Sequence, residues 1–183
     1  MDKYTIGIDF GTDSVRAIVV DVKTGHVISE CVASYPRWAK GLYRHPDKNI
    51  FRQHPLDYLE AMTQCVRGAL AALSADSRRQ IVGIGVDTTG STPVAVDQNG
   101  VPLALLEEFS ECEDAMFYLW KDHSAQEEAD AINAAFSSAA VDYRKYQGTY
   151  SAEWYWAKIL HAVKSRPILR ARAYTWVEHC DWI

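Results

Sequence analysis

Residues 7–16 read Gly7-Ile8-Asp9-Phe10-Gly11-Thr12-Asp13-Ser14-Val15-Arg16. The apolar run Thr5-Ile6-Gly7-Ile8-Asp9 ends in a carboxylate and then a glycine, and Val15–Val20 is a second run rich in β-branched residues. Two short strands around a tight turn fit this pattern. The short turn Lys23-Thr24-Gly25 leads into the alternating stretch His26–Ala33, so the second and third runs should be antiparallel neighbours. The chain thus opens on an expected three-stranded meander. Residues 34–54 carry Pro, Gly, Asn and aromatics without a period and read as a long ordered surface loop. Pro55–Leu73 then sets Leu56, Leu59, Met62, Val66, Leu70 and Leu73 at helical spacing, closed by Ser74–Ser77. A wholly apolar strand, Ile81–Val86, stops at Asp87, and Thr92–Val96 is the next, turned by Asn99-Gly100. Asp114–Phe136 has a helical pattern. A further helix is expected from Ser151, a fitting N-cap, ending before Pro167.

Composition narrows the classes of function. With 183 residues, 48% hydrophobic and 23% charged, the chain has the make-up of a globular protein with a sizeable core. Its net charge of −5 supplies no positive field to hold nucleic acid or an anionic membrane, so neither is an expected partner. Cys31, Cys65, Cys112 and Cys180 form no C-x-x-C pair, which argues against structural zinc and for reduced thiols in the cytoplasm. Neither a secretory leader nor an apolar run of membrane-spanning length is evident. His45, His54, His123, His161 and His179 lack a ligand spacing, and the G-x-S-x-G, Walker A and H-E-x-x-H patterns do not occur.

Three stretches carry chemistry. In the first, Gly11 lets backbone approach closely, and the turn's N–H groups with the Thr12 and Ser14 hydroxyls can cradle phosphate oxygens. Arg16 offers a planar donor fork, and Asp9 is placed for a divalent cation. The same residues also read as an ordinary hairpin with a solvated arginine. In the second, Val86-Asp87-Thr88-Thr89-Gly90-Ser91-Thr92, a polar cluster follows the carboxyl end of a strand, where ligands of open α/β sheets collect. The plainer reading makes Asp87 a cap over a turn. In the third, Tyr150-Ser151-Ala152-Glu153-Trp154-Tyr155-Trp156-Ala157-Lys158, aromatic faces and a lysine fit a sugar-binding wall, or alternatively core packing with a snorkelling lysine.

These segments resemble the FGGY carbohydrate kinases, relatives of actin, hexokinase and the Hsp70 ATPase. Tyr35-Pro36-Arg37-Trp38, His54-Pro55-Leu56-Asp57-Tyr58, Asp87-Thr88-Thr89-Gly90-Ser91-Thr92-Pro93, Ala115–His123 and Ser151–Lys158 narrow the resemblance to the ribulokinase branch of that family. The resemblance implies an α/β, ribonuclease-H-like mixed sheet with flanking helices and a helical insertion. It implies a sheet core over residues 1–110 and a mainly helical, sugar-site insertion over 111–183. It also implies ATP- and Mg²⁺-dependent phosphorylation of L-ribulose and related 2-ketopentoses. On that basis Asp9 would sit near the metal, Gly11, Thr12, Ser14 and Arg16 around the ATP phosphates, and Gly90 and Lys158 at the sugar. The family's catalytic aspartate and its second domain lie beyond residue 183, so these residues alone are expected not to turn over. Two alternatives remain open: a non-catalytic sugar or nucleotide sensor, and a two-metal nuclease built on Asp9 and Asp87. Homo-oligomer formation is also open.

Overall fold

The structure, a computed structural model, describes residues 2–139 and 143–183. The chain runs through β1 (Tyr4–Phe10), β2 (Ser14–Asp21), β3 (Val27–Ser34), α1 (Pro36–Ala39), β4 (Arg44–His45), β5 (Ile50–Gln53) and α2 (Pro55–Ala71). It continues through α3 (Ala75–Arg78), β6 (Ile81–Thr88), β7 (Pro93–Val96), β8 (Phe117–Tyr118), α4 (Gln126–Ser138) and α5 (Arg144–Gln147). It ends with α6 (Tyr155–Ser165), α7 (Pro167–Arg172), β9 (Thr175–Glu178) and α8 (His179–Trp182). Contacts divide it into two units: residues 1–42 with 55–89, and residues 43–54 with 90–183. Among the described residues no helix is long and apolar enough to cross a membrane.

The first unit is a four-stranded sheet in the order β3-β2-β1-β6. β1 to β3 form the expected antiparallel meander, and β6 runs parallel to β1. Alternation along the strands sorts their side chains onto two faces. Ile6, Ile8, Phe10, Val15, Ala17 and Val19 are buried on one of them, and α2 packs against β2 and β3. The helix does not use the stripe its leucines mark out. It buries Tyr58, Ala61, Cys65 and Ala69, while Leu56, Leu59, Met62, Val66 and Leu70 lie half-buried at its flanks. Small residues win the central position because the helix lies so close to the sheet. A Cβ built on Gly68 would fall 2.4 Å from the Cys31 sulfur. On β6, at the edge of the sheet, Val82, Ile84 and Val86 stay 59%, 64% and 46% exposed.

Residues 34–54, expected as one loop, are ordered elements shared between the two units. In the first unit Tyr35 and Trp38 are buried. The Asp57 carboxylate accepts the Arg37 and Trp38 backbone N–H groups at 3.0 Å each, satisfying donors that a helix start leaves unpaired. Arg37 bridges Asp57 and Glu60, and this pairing holds its guanidinium charged, with its pKa above the usual range. These elements are only two to four residues long, too short to show a period.

The second unit contains the small sheets β4-β5-β8 and β7-β9, and Leu103, Phe109, Met116, Tyr118 and Leu169 belong to one of its cores. The helical pattern expected from Asp114 begins only at Gln126. Phe117 and Tyr118 are instead extended and pair with Gln53 and Arg52. Asp122 accepts the Phe51 and Ser124 backbone N–H groups and pairs with the buried Arg52 guanidinium. That guanidinium lies 3.4 Å over the Tyr118 ring, so the aromatic-rich stretch serves a sheet and a buried ion pair rather than a helix face. The expected helix from Ser151 starts at Tyr155; the Ser151 hydroxyl accepts the Glu153 N–H in a preceding turn. It ends before Pro167, as expected.

Candidate functional site

In the first unit the polar groups gather at the carboxyl ends of β1 and β6. Asp9 and Asp87 are register partners on these adjacent parallel strands, whose backbones run about 4.8 Å apart. Arg16 stands opposite Asp9 on β2, and all three are exposed. The turn between β1 and β2 closes through the Gly11 N–H on the Ser14 carbonyl at 3.0 Å. A Cβ on Gly11 would lie 3.3 Å from that same carbonyl oxygen, which explains glycine there. Thr12 and Ser14 are half-buried in the turn. Asp87 also accepts the Thr88 N–H at 3.0 Å, so its capping role and its place beside Asp9 coexist.

Two residues that the sequence reading left in a loop buttress this turn. The Tyr35 hydroxyl donates to the Gly11 carbonyl at 3.1 Å, and the Trp38 indole N–H donates to Asp13. Burial, reinforced by Asp9, Asp57 and Asp13, pushes the Tyr35 phenol well above its usual range, keeping it a neutral donor. Below the turn, a groove of about 570 Å³ runs along the sheet face opposite α2, lined by Gly7, Asp9, Arg16, Glu30, Gly85 and Asp87 among others. Mg²⁺ favours one or two carboxylates completed by phosphate and water. The oxygen donors of Asp9 and Asp87, beside a tight glycine turn with two hydroxyls, fit that group and a nucleotide phosphate. Among the described residues no cluster of three or more His, Cys, Asp or Glu side chains forms a ready metal cage.

The other expected site residues lie in the second unit. Gly90 is exposed, with open space where a side chain would project. Lys158 on α6 is fully buried. Its Nζ donates to the Ser91 carbonyl at 2.6 Å and the Leu119 carbonyl at 3.0 Å. Burial pulls its pKa down to about 7, against the opposing charge of Glu178. The sequence reading passed over Glu178. Its two oxygens accept the Ser91 hydroxyl and, at 2.6 Å, the Thr92 N–H. Only the β7-β9 pairing, which sets Glu178 opposite Pro93, brings it there, and nothing in the local sequence marks it. The aromatic stretch divides: Tyr150 is packed edge-on against Trp154 and held at both backbone groups by Asn133, whereas Trp156 is 63% exposed. His45, His123 and His161 each face a glutamate, which accounts for them without a metal.

A strand-end carboxylate pair beside a glycine-hydroxyl turn is an arrangement of an α/β protein that can take a phosphate with its cation, and comparison with known proteins gives the family. Residues 4–183 match the N-terminal domain of the FGGY family of carbohydrate kinases. The chain belongs to that family. It is 49% identical over 183 residues to a ribulokinase of Vibrio parahaemolyticus, covering 99% of this chain and 32% of that protein. It is 35% identical over 188 residues to a ribulokinase of Halalkalibacterium halodurans, covering 99% and 33%. Among solved structures, xylulose kinase from Bifidobacterium adolescentis superposes with a TM-score of 0.73 at 17% identity, covering 99% of this chain and 33% of that one. That likeness supports the actin/hexokinase-type α/β fold. The chain spans about a third of the length of the curated relatives it matches.

Proposed function

We propose that this chain supplies the phosphate-binding and sugar-binding parts of a kinase that transfers the γ-phosphoryl group of ATP to the 5-hydroxyl of L-ribulose. The observation that carries the reading is the placement of Asp9 beside Asp87, with the Gly11–Ser14 turn closing over the same strand end. The 49% identity to a ribulokinase supports the choice of sugar. Bound Mg²⁺ would neutralise charge on the transferring phosphoryl group. Asp9 would orient that ion, with Asp87 as its neighbour. The backbone N–H groups of the turn, with Thr12, Ser14 and Arg16, would hold the ATP phosphates. Gly90 would line the sugar, its missing side chain leaving room for the substrate, and Lys158 would belong to the same sugar site. Related 2-ketopentoses fall within the same substrate class.

Phosphoryl transfer needs groups on both sides of the nucleotide, and positioning supplies most of the rate. The assay is Mg²⁺-dependent ADP release with L-ribulose, on the 183-residue chain and on a polypeptide extended to the length of its relatives. Activity confined to the extended polypeptide is the expected result. There, Asp9→Asn should depress turnover by at least about a hundredfold with little change in thermal stability. A correctly folded extended polypeptide that releases no ADP with L-ribulose would overturn the assignment of substrate. Equal loss of stability and activity in Asp9→Asn would return Asp9 to a structural role.

A further inference from the structure

We infer that Lys158 and Glu178 are positioning residues: together they hold the Gly90–Thr92 turn from two sides and set its backbone for the sugar. The inference rests on the placement of Gly90 in the sugar site proposed above, and it changes how Lys158 acts there. A lysine that touched substrate would present its amine to an open surface. This one is fully buried, with its Nζ directed onto the Ser91 and Leu119 carbonyls.

The geometry is a clamp on one peptide segment. Lys158 takes the carbonyl of Ser91. Glu178 takes the hydroxyl of the same residue and the N–H of the next. Every one of these bonds has an ionisable side chain at one end. The Leu119 bond ties the same amine to the segment that follows β8, so the turn is referenced to two elements. The two side chains come from α6 and β9, which enter the second unit after the turn in sequence. A side chain on Gly90 would project into open space, so the bonds at Ser91 and Thr92 bear directly on where its backbone sits. Because binding and catalysis tolerate little misplacement, a loosened turn should weaken sugar binding without touching the nucleotide groups.

Two measurements test this. The first is hydrogen exchange at the Thr92 amide, read by NMR on the 183-residue chain with Lys158→Met, the near-isosteric Glu178→Gln, and Ser91→Ala. The second is steady-state kinetics of the same variants in a polypeptide extended to the relatives' length. Lys158→Met and Glu178→Gln should each speed Thr92 exchange roughly ten- to hundredfold, the scale of one hydrogen bond to a charged group. Ser91→Ala, which leaves the Thr92 bond in place, should have a smaller effect. Kinetically, the first two should raise KM for L-ribulose about tenfold or more, with kcat and KM for ATP within about threefold. If Lys158→Met fails to fold, Glu178→Gln carries the test alone. Unchanged Thr92 exchange would overturn the clamp. Faster exchange with unchanged KM for L-ribulose would overturn its role in positioning. Either result leaves the proposed kinase standing. A wild-type extended polypeptide inactive with L-ribulose would instead refute that reading, and this inference with it.

Discussion

Substituting Lys158 by methionine removes a titrating group from the interior while keeping much of its aliphatic volume. Burial draws the Lys158 pKa down to about 7, against an ordinary 10.5. Between those values the unfolded chain holds a proton that the folded chain does not, so stability rises with pH across that window. Below about pH 7 both states are protonated and the cost of the buried charge is at its greatest. Integrating from pH 6 to pH 9 gives a gain of about 3 kcal/mol for the wild type that Lys158→Met lacks. For a chain of this size that is roughly 5–10 °C in the midpoint of thermal unfolding. The assay is a pair of melting curves at several pH values, read as the difference between wild type and variant. Taking the difference cancels the cysteines, and stopping at pH 9 avoids the buried tyrosines. A constant offset with no slope would mean that Lys158 is charged in the folded state throughout, and would refute the reasoning.

Two further substitutions address the packing. Gly68→Ala would drive a methyl group to 2.4 Å from the Cys31 sulfur, so a loss of about 1–3 kcal/mol is expected in denaturant unfolding. Adding Cys31→Ala should recover most of it, and strictly additive losses would show that the two residues do not meet. His179 is buried, which lowers its pKa to about 3 from 6.5. The unfolded state therefore binds the extra proton between those values, and stability falls as pH drops below 6.5. About 2 kcal/mol should be lost between pH 7 and pH 5 and spared in His179→Leu; parallel pH profiles for the two proteins would contradict this.

The meander, the parallel strand after α2 and the strand-end carboxylates were legible because each is a local pattern. Thr5–Asp9 and Val15–Val20 are apolar runs separated by turn residues, and the observed strands extend them by only a residue or so at each end. The expected site residues of the first unit, Asp9, Gly11, Thr12, Ser14 and Arg16, do come together around one turn and its flanking strands. What was not legible depends on partners distant in sequence. The stripe Leu56–Leu73 shows that α2 is a helix, but its orientation follows from how closely Gly68 lets it approach β3. Periodicity over 114–125 resembled a helix because Met116, Leu119 and Trp120 have that spacing, yet β5 recruits Phe117 and Tyr118 into a sheet. The place of Glu178 follows from the pairing of β7 with β9, which sets it opposite Pro93, and the buried state of Lys158 from the distant Ser91 and Leu119 carbonyls.

The interleaving of the two units also has a consequence in time. Residues 43–54 leave the ribosome between two stretches of the first unit, yet Arg52 and Gln53 pair with Tyr118 and Phe117. At about 5–20 residues per second, that partner strand is made roughly 3–13 s later. The first unit has all its own strands once Thr89 has emerged. Until that segment follows, the Arg52 guanidinium lacks the Tyr118 ring and the Asp122 carboxylate that it meets in the folded chain. For those seconds the nascent chain presents a short strand paired only to β4, with its other edge open, of the kind that holding chaperones bind. Codon-dependent pausing between residues 54 and 117 would lengthen that exposure, and so act on the yield of folded protein without altering a single amino acid.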